Sequence, residues 1–151
     1  MVMKTFLDQL DRARIERAIA DAEQLTSGEL RVVFHPGKVA DATALARTEF
    51  ARLGMTATRE RNAVLILIAP DARQFAIFGD EGVHGKCGDD FWRNVAAAME
   101  AKFRAGQHTD AVVEGIARAG ELLAREFPHR PDDRDELPNT VVQDPPPPTV
   151  I

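Results

Sequence analysis

The chain has a single cysteine, Cys87, in 151 residues. An internal disulfide is therefore excluded, and the composition suits a reducing compartment. Long apolar runs are also missing. The longest spans 63–69, far short of the ~20 apolar residues that a membrane-spanning helix needs. The opening "MVMKTFLDQLDRARIERAIA" interrupts its apolar residues with charge from Asp8 onward, so no secretory apolar core forms. Positive charge is not in excess: the net charge is −5, which argues against a nucleic-acid partner, because phosphate backbones demand a basic surface. No phosphate-binding P-loop, G-x-S-x-G elbow or dinucleotide fingerprint is present. These absences predict a cytoplasmic protein with no direct membrane insertion. Proline is scarce in the body, since seven of nine lie at or after Pro128. From there "PHRPDDRDELPNTVVQDPPPPTVI" shows no apolar periodicity, which predicts a disordered Pro/Asp-rich tail over 128–151. Its "DPPPP" favours polyproline II.

What the chain does contain is 44% apolar and 28% charged residues, enough to build one globular domain over 1–127. Leu7, Leu10, Ile15, Ala18, Ile19 and Ala22 follow helical spacing, which predicts a helix over about 6–24. "TSG" breaks it, and "ELRVVFH" reads as a strand. Ala42, Leu45, Ala46, Phe50 and Leu53 mark a second helix. "NAVLILIA" is continuously apolar and rich in branched residues, the pattern of a strand buried on both faces. "PDAR" turns the chain into "RQFAIFG", a hairpin partner. After an acidic, glycine-rich turn, Phe91, Val95, Ala98 and Met99 place another helix, ending near Gly106. A last helix, capped by Thr109 or Asp110, carries Val112, Ile116, Ala119 and Leu123 and stops before Pro128. The order α-β-α-β-β-α-α predicts an α/β fold: a three-layer α/β/α sandwich with helices on both faces of a small mixed sheet.

Chain direction gathers the acids. Strands one and two are joined through a helix and run parallel; strand three returns by a hairpin, so its end lies beside their beginnings. Glu29 opens strand one, Glu60 and Asn62 precede strand two, and Asp80 and Glu81 close strand three. Asp89 and Asp90 follow at the start of a helix. Crowded carboxylates repel one another unless protonated or neutralised, and a hard divalent cation neutralises them. Asp80, Glu81, Asp89, Asp90, Glu29, Glu60 and Asn62 are thus the candidate ligands, for calcium first and magnesium second. Two ion-free readings compete. Asp89 and Asp90 can cap a helix and Asp80 can form a turn, and Arg59 or Arg61 of "TRERN" can pair with the acids.

Other chemistry fits less well. Cys87 and Arg93 have the C-x5-R spacing of cysteine phosphatases, but Asp89 and Asp90 lie inside that loop and would repel thiolate and phosphate alike. His84 with Cys87 gives two ligands, too few for zinc, and His35, His108 and His129 have no matching spacing. No catalytic residue can be assigned.

The stretches "TSGELRVVF", "RLGMTATRERNAVLILIA", "RQFAIFGDEGVHGKCGDDFW" and "FRAGQHTDAVVEGIARAGELL" together resemble the TPM domain over about residues 10–127. The resemblance implies an α/β/α sandwich on a mixed sheet of about four strands. It carries over Glu29, Asn62 and the "GDEG" glycines with Asp80 by position, and implies that some family members bind calcium at this end of the domain. It also implies two kinds of role. One thylakoid-lumen branch is described as an acid phosphatase, and other members are accessory proteins of membrane complexes. This chain departs from many members in showing neither a signal peptide nor a C-terminal membrane helix, and so is similar to the short soluble bacterial branch. It also has Thr58 where many carry an Asp. The leading expectation is a binding or accessory module with a calcium-type site and a protein partner, a membrane complex being the partner the resemblance implies. A metal-dependent acid phosphatase and an ion-free protein-interaction domain are the alternatives.

Overall fold

The continuous apolar stretch becomes β2 (Ala63–Ala69), with all of its residues buried. In the computed structural model, which describes residues 2–129, 142–143 and 149–151, β2 is flanked by β1 (Glu29–Phe34) and β3 (Gln74–Gly79). β1 runs parallel to β2, with Glu29 opposite Ala63. β3 runs antiparallel to it, with Gly79 opposite Val64. The mixed sheet thus has three long strands where about four were expected. Two two-residue strands, β4 (Val142–Gln143) and β5 (Thr149–Val150), extend it beyond β1 in the order β3-β2-β1-β5-β4. They belong to the stretch expected to be disordered. Val150 and Ile151 are buried, and Ile151 exchanges backbone hydrogen bonds of 2.7 and 3.1 Å with Val32. An apolar pair at the end of a polar segment can cover the open edge of β1, which the lack of periodicity did not reveal. The "DPPPP" stretch lies outside the described residues.

Two helix layers cover the sheet. Leu30, Val32, Phe34, Val64, Ile66 and Ile68 point toward α1 (Met3–Asp8), α2 (Arg12–Glu23), α4 (Glu81–Arg104) and α5 (His108–Glu126). Val33, Leu65, Leu67 and Ala76 point toward α3 (Ala42–Arg52) and Met55. Each large aliphatic side chain buried this way stabilises the fold by about 1.5–3 kcal/mol. The single N-terminal helix expected over 6–24 is two. The first ends at Asp8, with Gln9 as its C-cap, and Asp11 caps the second, its Oδ1 accepting from Arg14 N–H at 3.1 Å. The expected caps of α5 are used elsewhere: Thr109 Oγ1 accepts from Asp11 N–H at 3.1 Å, and Asp110 pairs with Arg14 at 2.6 Å. α5 starts one residue before Thr109, at His108. No described helix is long and apolar enough to cross a membrane.

The acidic turn differs most from expectation. Helix α4 begins at Glu81, directly after β3, because Asp80 caps it: its Oδ1 accepts from Glu81 N–H at 2.8 Å. Gly82 and Gly85 are therefore helical. Gly88, at φ 75° and ψ 179°, breaks α4 into two segments, a conformation essentially reserved for glycine.

Candidate functional site at the acidic rim

The rim lies where β1 and β2 begin and β3 ends, as chain direction requires. Asp80 N–H donates to Ala63 O at 2.9 Å, and Ala63 sits opposite Glu29. Glu29, Ala63 and Asp80 thus occupy one row of the ladder, which places the two acids two strand spacings apart, about 10 Å between backbones. The rim is shared, but its polar groups divide into separate clusters.

Asp80, only 4% exposed, is held by Arg61. Arg61 Nε donates to Oδ2 at 2.7 Å and Nη2 to Oδ1 at 2.8 Å, while Nη1 reaches Glu81 Oε1 at 3.3 Å. This is a two-pronged, charge-assisted pairing that matches the planar guanidinium to the carboxylate. The hydrogen bond to Asp80 raises the Arg61 pKa above its ordinary value, so the cation is permanent. Arg61 takes a left-handed backbone conformation, φ 52°, which is uncommon for a residue with a Cβ. Neighbouring contacts fix it there. Gly82 N–H donates to Arg61 O at 2.9 Å. A Cβ on Gly82 would lie 2.3 Å from Glu60 O and 2.6 Å from Arg61 O. Only glycine permits that approach of α4 to the 60–61 turn.

Glu60 and Asn62 form a second cluster with Ser27. Ser27 Oγ donates to Glu60 Oε2 at 3.3 Å, and Asn62 Nδ2 donates to Ser27 Oγ at 3.2 Å and to Glu60 Oε2 at 3.4 Å. Thr58, buried, accepts from Asn62 N–H at 3.1 Å and so orders the turn. Glu29 belongs to a third group: burial lowers the Arg31 pKa, while the charges of Glu23 and Glu29 oppose that shift. Asp89 and Asp90 sit past the Gly88 break, exposed, beside His84 (3.4 Å) and Arg93 (3.0 Å) respectively. The structure therefore brings Asp80 and Glu81 together on Arg61, joins Glu60 to Asn62, sets Glu29 within electrostatic reach of Arg31, and carries Asp89 and Asp90 past Gly88 to His84 and Arg93. Among the described residues, no three His, Cys, Asp or Glu side chains group as a metal ion would require. Arg61 is the partner of Asp80 and Glu81, Ser27 is a partner of Glu60, and Thr58 holds the Asn62 backbone. Arg61 is the acid partner that "TRERN" offers in the sequence, Thr58 stands where many family members carry an Asp, and Ser27 shows no signal beyond a hydroxyl near a turn. Burial first, then the charge of Asp89, push the Cys87 thiol up from 9.0, which disfavours the thiolate.

Residues 2–122 match the family described as the TPM domain. The chain belongs to the TPM domain family. Among solved structures, the BA42 protein of the psychrophilic bacterium Bizionia argentinensis, determined by NMR, is 41% identical, with 85% of this chain and 88% of that one covered at a TM-score of 0.78. The N-terminal domain of a P. gingivalis protein, also solved by NMR, shares the fold at 21% identity and a TM-score of 0.65, with 80% and 82% covered. No curated protein matches the chain. Where the resemblance implied a sheet of about four strands, this chain has three long ones, with two two-residue strands added beyond β1.

Proposed function

We propose that this TPM-domain chain is a binding or accessory module whose acidic rim carries its own counter-ion, Arg61, and takes a divalent cation by exchange with it. The observation that carries this reading is the two-pronged Arg61–Asp80 pair, with Asp80 buried and Glu81 on the same guanidinium. The donors of this smaller set fit a hard cation. Asp80 and Glu81 offer carboxylate oxygens, and Gly82 keeps the 60–61 carbonyls against the same turn. Glu29, Glu60, Asn62, Asp89 and Asp90 have other partners or lie apart, so full seven-residue ligation needs rearrangement. A few-ligand site that must displace a cation binds weakly, on the order of 0.1–1 mM for calcium, with magnesium weaker still because it sheds water reluctantly.

Calcium titration followed by amide NMR tests this. Shifts confined to residues 58–62 and 79–84, stronger affinity in Arg61→Gln and none in Asp80→Asn are expected. An unchanged affinity in Arg61→Gln removes the exchange, and silence in both proteins leaves an ion-free interaction domain. Hydrolysis of a generic phosphomonoester, with and without chelator, tests the accessory role. Turnover that chelator and Asp80→Asn both abolish would replace it with the metal-dependent acid phosphatase.

A further inference from the structure

β3 is the outermost strand of the sheet on the side away from the C-terminal additions. Its register identifies the groups on its free side. The Asp80–Ala63 bond marks a hydrogen-bonded pair, and such pairs alternate along an antiparallel ladder. Phe78, Ala76 and Gln74 therefore direct N–H and C=O at β2, while Gly79, Ile77 and Phe75 direct theirs outward. The far side of β2 agrees. Ile68, opposite Phe75, gives its carbonyl to His35 N–H on the β1 side at 2.8 Å. Among the described residues, no backbone group takes up the outward row of Phe75, Ile77 and Gly79. Edge strands usually carry a lysine, a proline or a bulge as a guard. β3 reads Gln-Phe-Ala-Ile-Phe-Gly and has neither charge nor proline.

A groove of about 910 Å³ follows this edge. Four consecutive β3 residues, Gln74, Phe75, Ala76 and Ile77, line it, so both faces of the strand reach it. Its walls come from both helix layers, Ala42 from α3 and Trp92 and Phe103 from α4. Trp92 Nε1 and His108 Nδ1, from two lining residues, are buried and bond to no described group. The charge at the mouth is uneven. Glu100 and Arg104 neutralise each other at 2.7 Å, Arg93 pairs with Asp90, and Asp41 is spent on capping α3. Arg73 is left, exposed, in no ion pair with a described carboxylate.

We propose that this groove binds an extended peptide segment of a partner protein. The segment pairs as an added strand with Phe75, Ile77 and Gly79, sets apolar side chains at alternate positions against the two walls, and brings a carboxylate to Arg73. Main-chain pairing supplies affinity in such strand addition, and the alternating pockets supply selectivity. A second copy of the chain is a poorer occupant. The edge lies between α3 and α4, and a second β3 would bring its own pair of walls to the same space. The proposal rests on the accessory reading only for the partner being a protein. The hydrolysis assay can overturn that reading while peptide binding stands, and the reverse.

The probes are three acetylated heptapeptides with glutamate at both ends and threonine alternating with valine, leucine or tyrosine between. With the full chain, at least one should slow hydrogen exchange at the Phe75, Ile77 and Gly79 amides and shift Trp92 Nε1–H. Ile77→Pro removes an outward N–H and no bond to β2, a change that edges tolerate, and should weaken the probe about tenfold. Arg73→Gly, which relieves the left-handed φ of 54°, should weaken it about threefold. No protection of the outward amides by any probe at millimolar concentration overturns the proposal. So does affinity unchanged by both variants, equal binding of lysine-ended peptides, or self-association through β3 in sedimentation. If Ile77→Pro fails to fold, Arg73→Gly and the lysine-ended peptides decide.

Discussion

Gly82→Ala and Gly85→Ala are expected to move the melting temperature in opposite directions, although the residues stand one helical turn apart. A methyl group on Gly82 would meet Glu60 O at 2.3 Å and Arg61 O at 2.6 Å. Both are backbone atoms of the turn that holds Arg61, so neither can rotate aside. Forcing a methylene into such a packed place costs about 1–3 kcal/mol. Moving the turn also strains the 2.9 Å bond from Gly82 N–H to Arg61 O, worth about 1 kcal/mol. Alanine's helix preference returns about 1 kcal/mol. The net loss is about 1–3 kcal/mol, and at 2–4 °C per kcal/mol for a chain of this size the melting temperature falls by roughly 2–12 °C. Gly85 is exposed, helical and has nothing within 4 Å of its built Cβ. There alanine gains up to about 1 kcal/mol, or roughly 2–4 °C. Circular-dichroism melts measure both, and amide spectra add a second readout: Gly82→Ala should shift Arg61, Asn62 and Asp80, and Gly85→Ala should not. A Gly82→Ala protein as stable as the parent would refute the close approach of α4 to the 60–61 turn, and with it the geometry of the Arg61 clamp.

Three further outcomes are expected. Thr58→Val removes the acceptor for the buried Asn62 N–H and should cost about 1–2 kcal/mol; faster hydrogen exchange at Asn62 checks it, and unchanged exchange would contradict it. Arg118 first, then Lys102, hold the Glu114 carboxyl below its ordinary 4.5. Its stabilisation is present above the ordinary carboxyl range and lost as pH falls through the lowered value, so Glu114→Gln should flatten the acid limb of stability in pH-dependent melts; an unaltered limb would count against the α4–α5 bridge. Cys87 should alkylate slowly with iodoacetamide, with an inflection above 9.0, and an inflection below that value would contradict its burial.

The sequence was most informative where one physical constraint acts alone. Continuous apolarity over 63–69 marks the central strand, and the parallel-then-hairpin connection alone puts Glu29, Asn62 and Asp80 on one rim. Competing local chemistry hid the rest. Four glycines between acids read as a flexible turn, yet Asp80 as a cap made most of that stretch helical and confined the break to Gly88. Charge count alone suggested that the acids needed an external cation. The guanidinium that neutralises Asp80 comes from Arg61, nineteen positions earlier, and its choice of partner over the other acids depends on a left-handed backbone that no periodicity announces. Asp89 and Asp90 were grouped with Asp80 by proximity in sequence, whereas the Gly88 break carries them past it. Val150 and Ile151 were submerged in a tail whose average composition is polar, although two apolar residues suffice to cover a strand edge.

The exchange at the rim is tested most directly by following the Arg61 side chain itself. In ¹⁵N-labelled protein its Nε–H, bound to Asp80 at 2.7 Å, should give a resolved, slowly exchanging signal without calcium. Added calcium should move that signal toward the position of a free arginine, in step with the Asp80 and Glu81 amides. A signal that stays fixed while those amides titrate would show that the cation binds without displacing Arg61 and would contradict the proposed exchange.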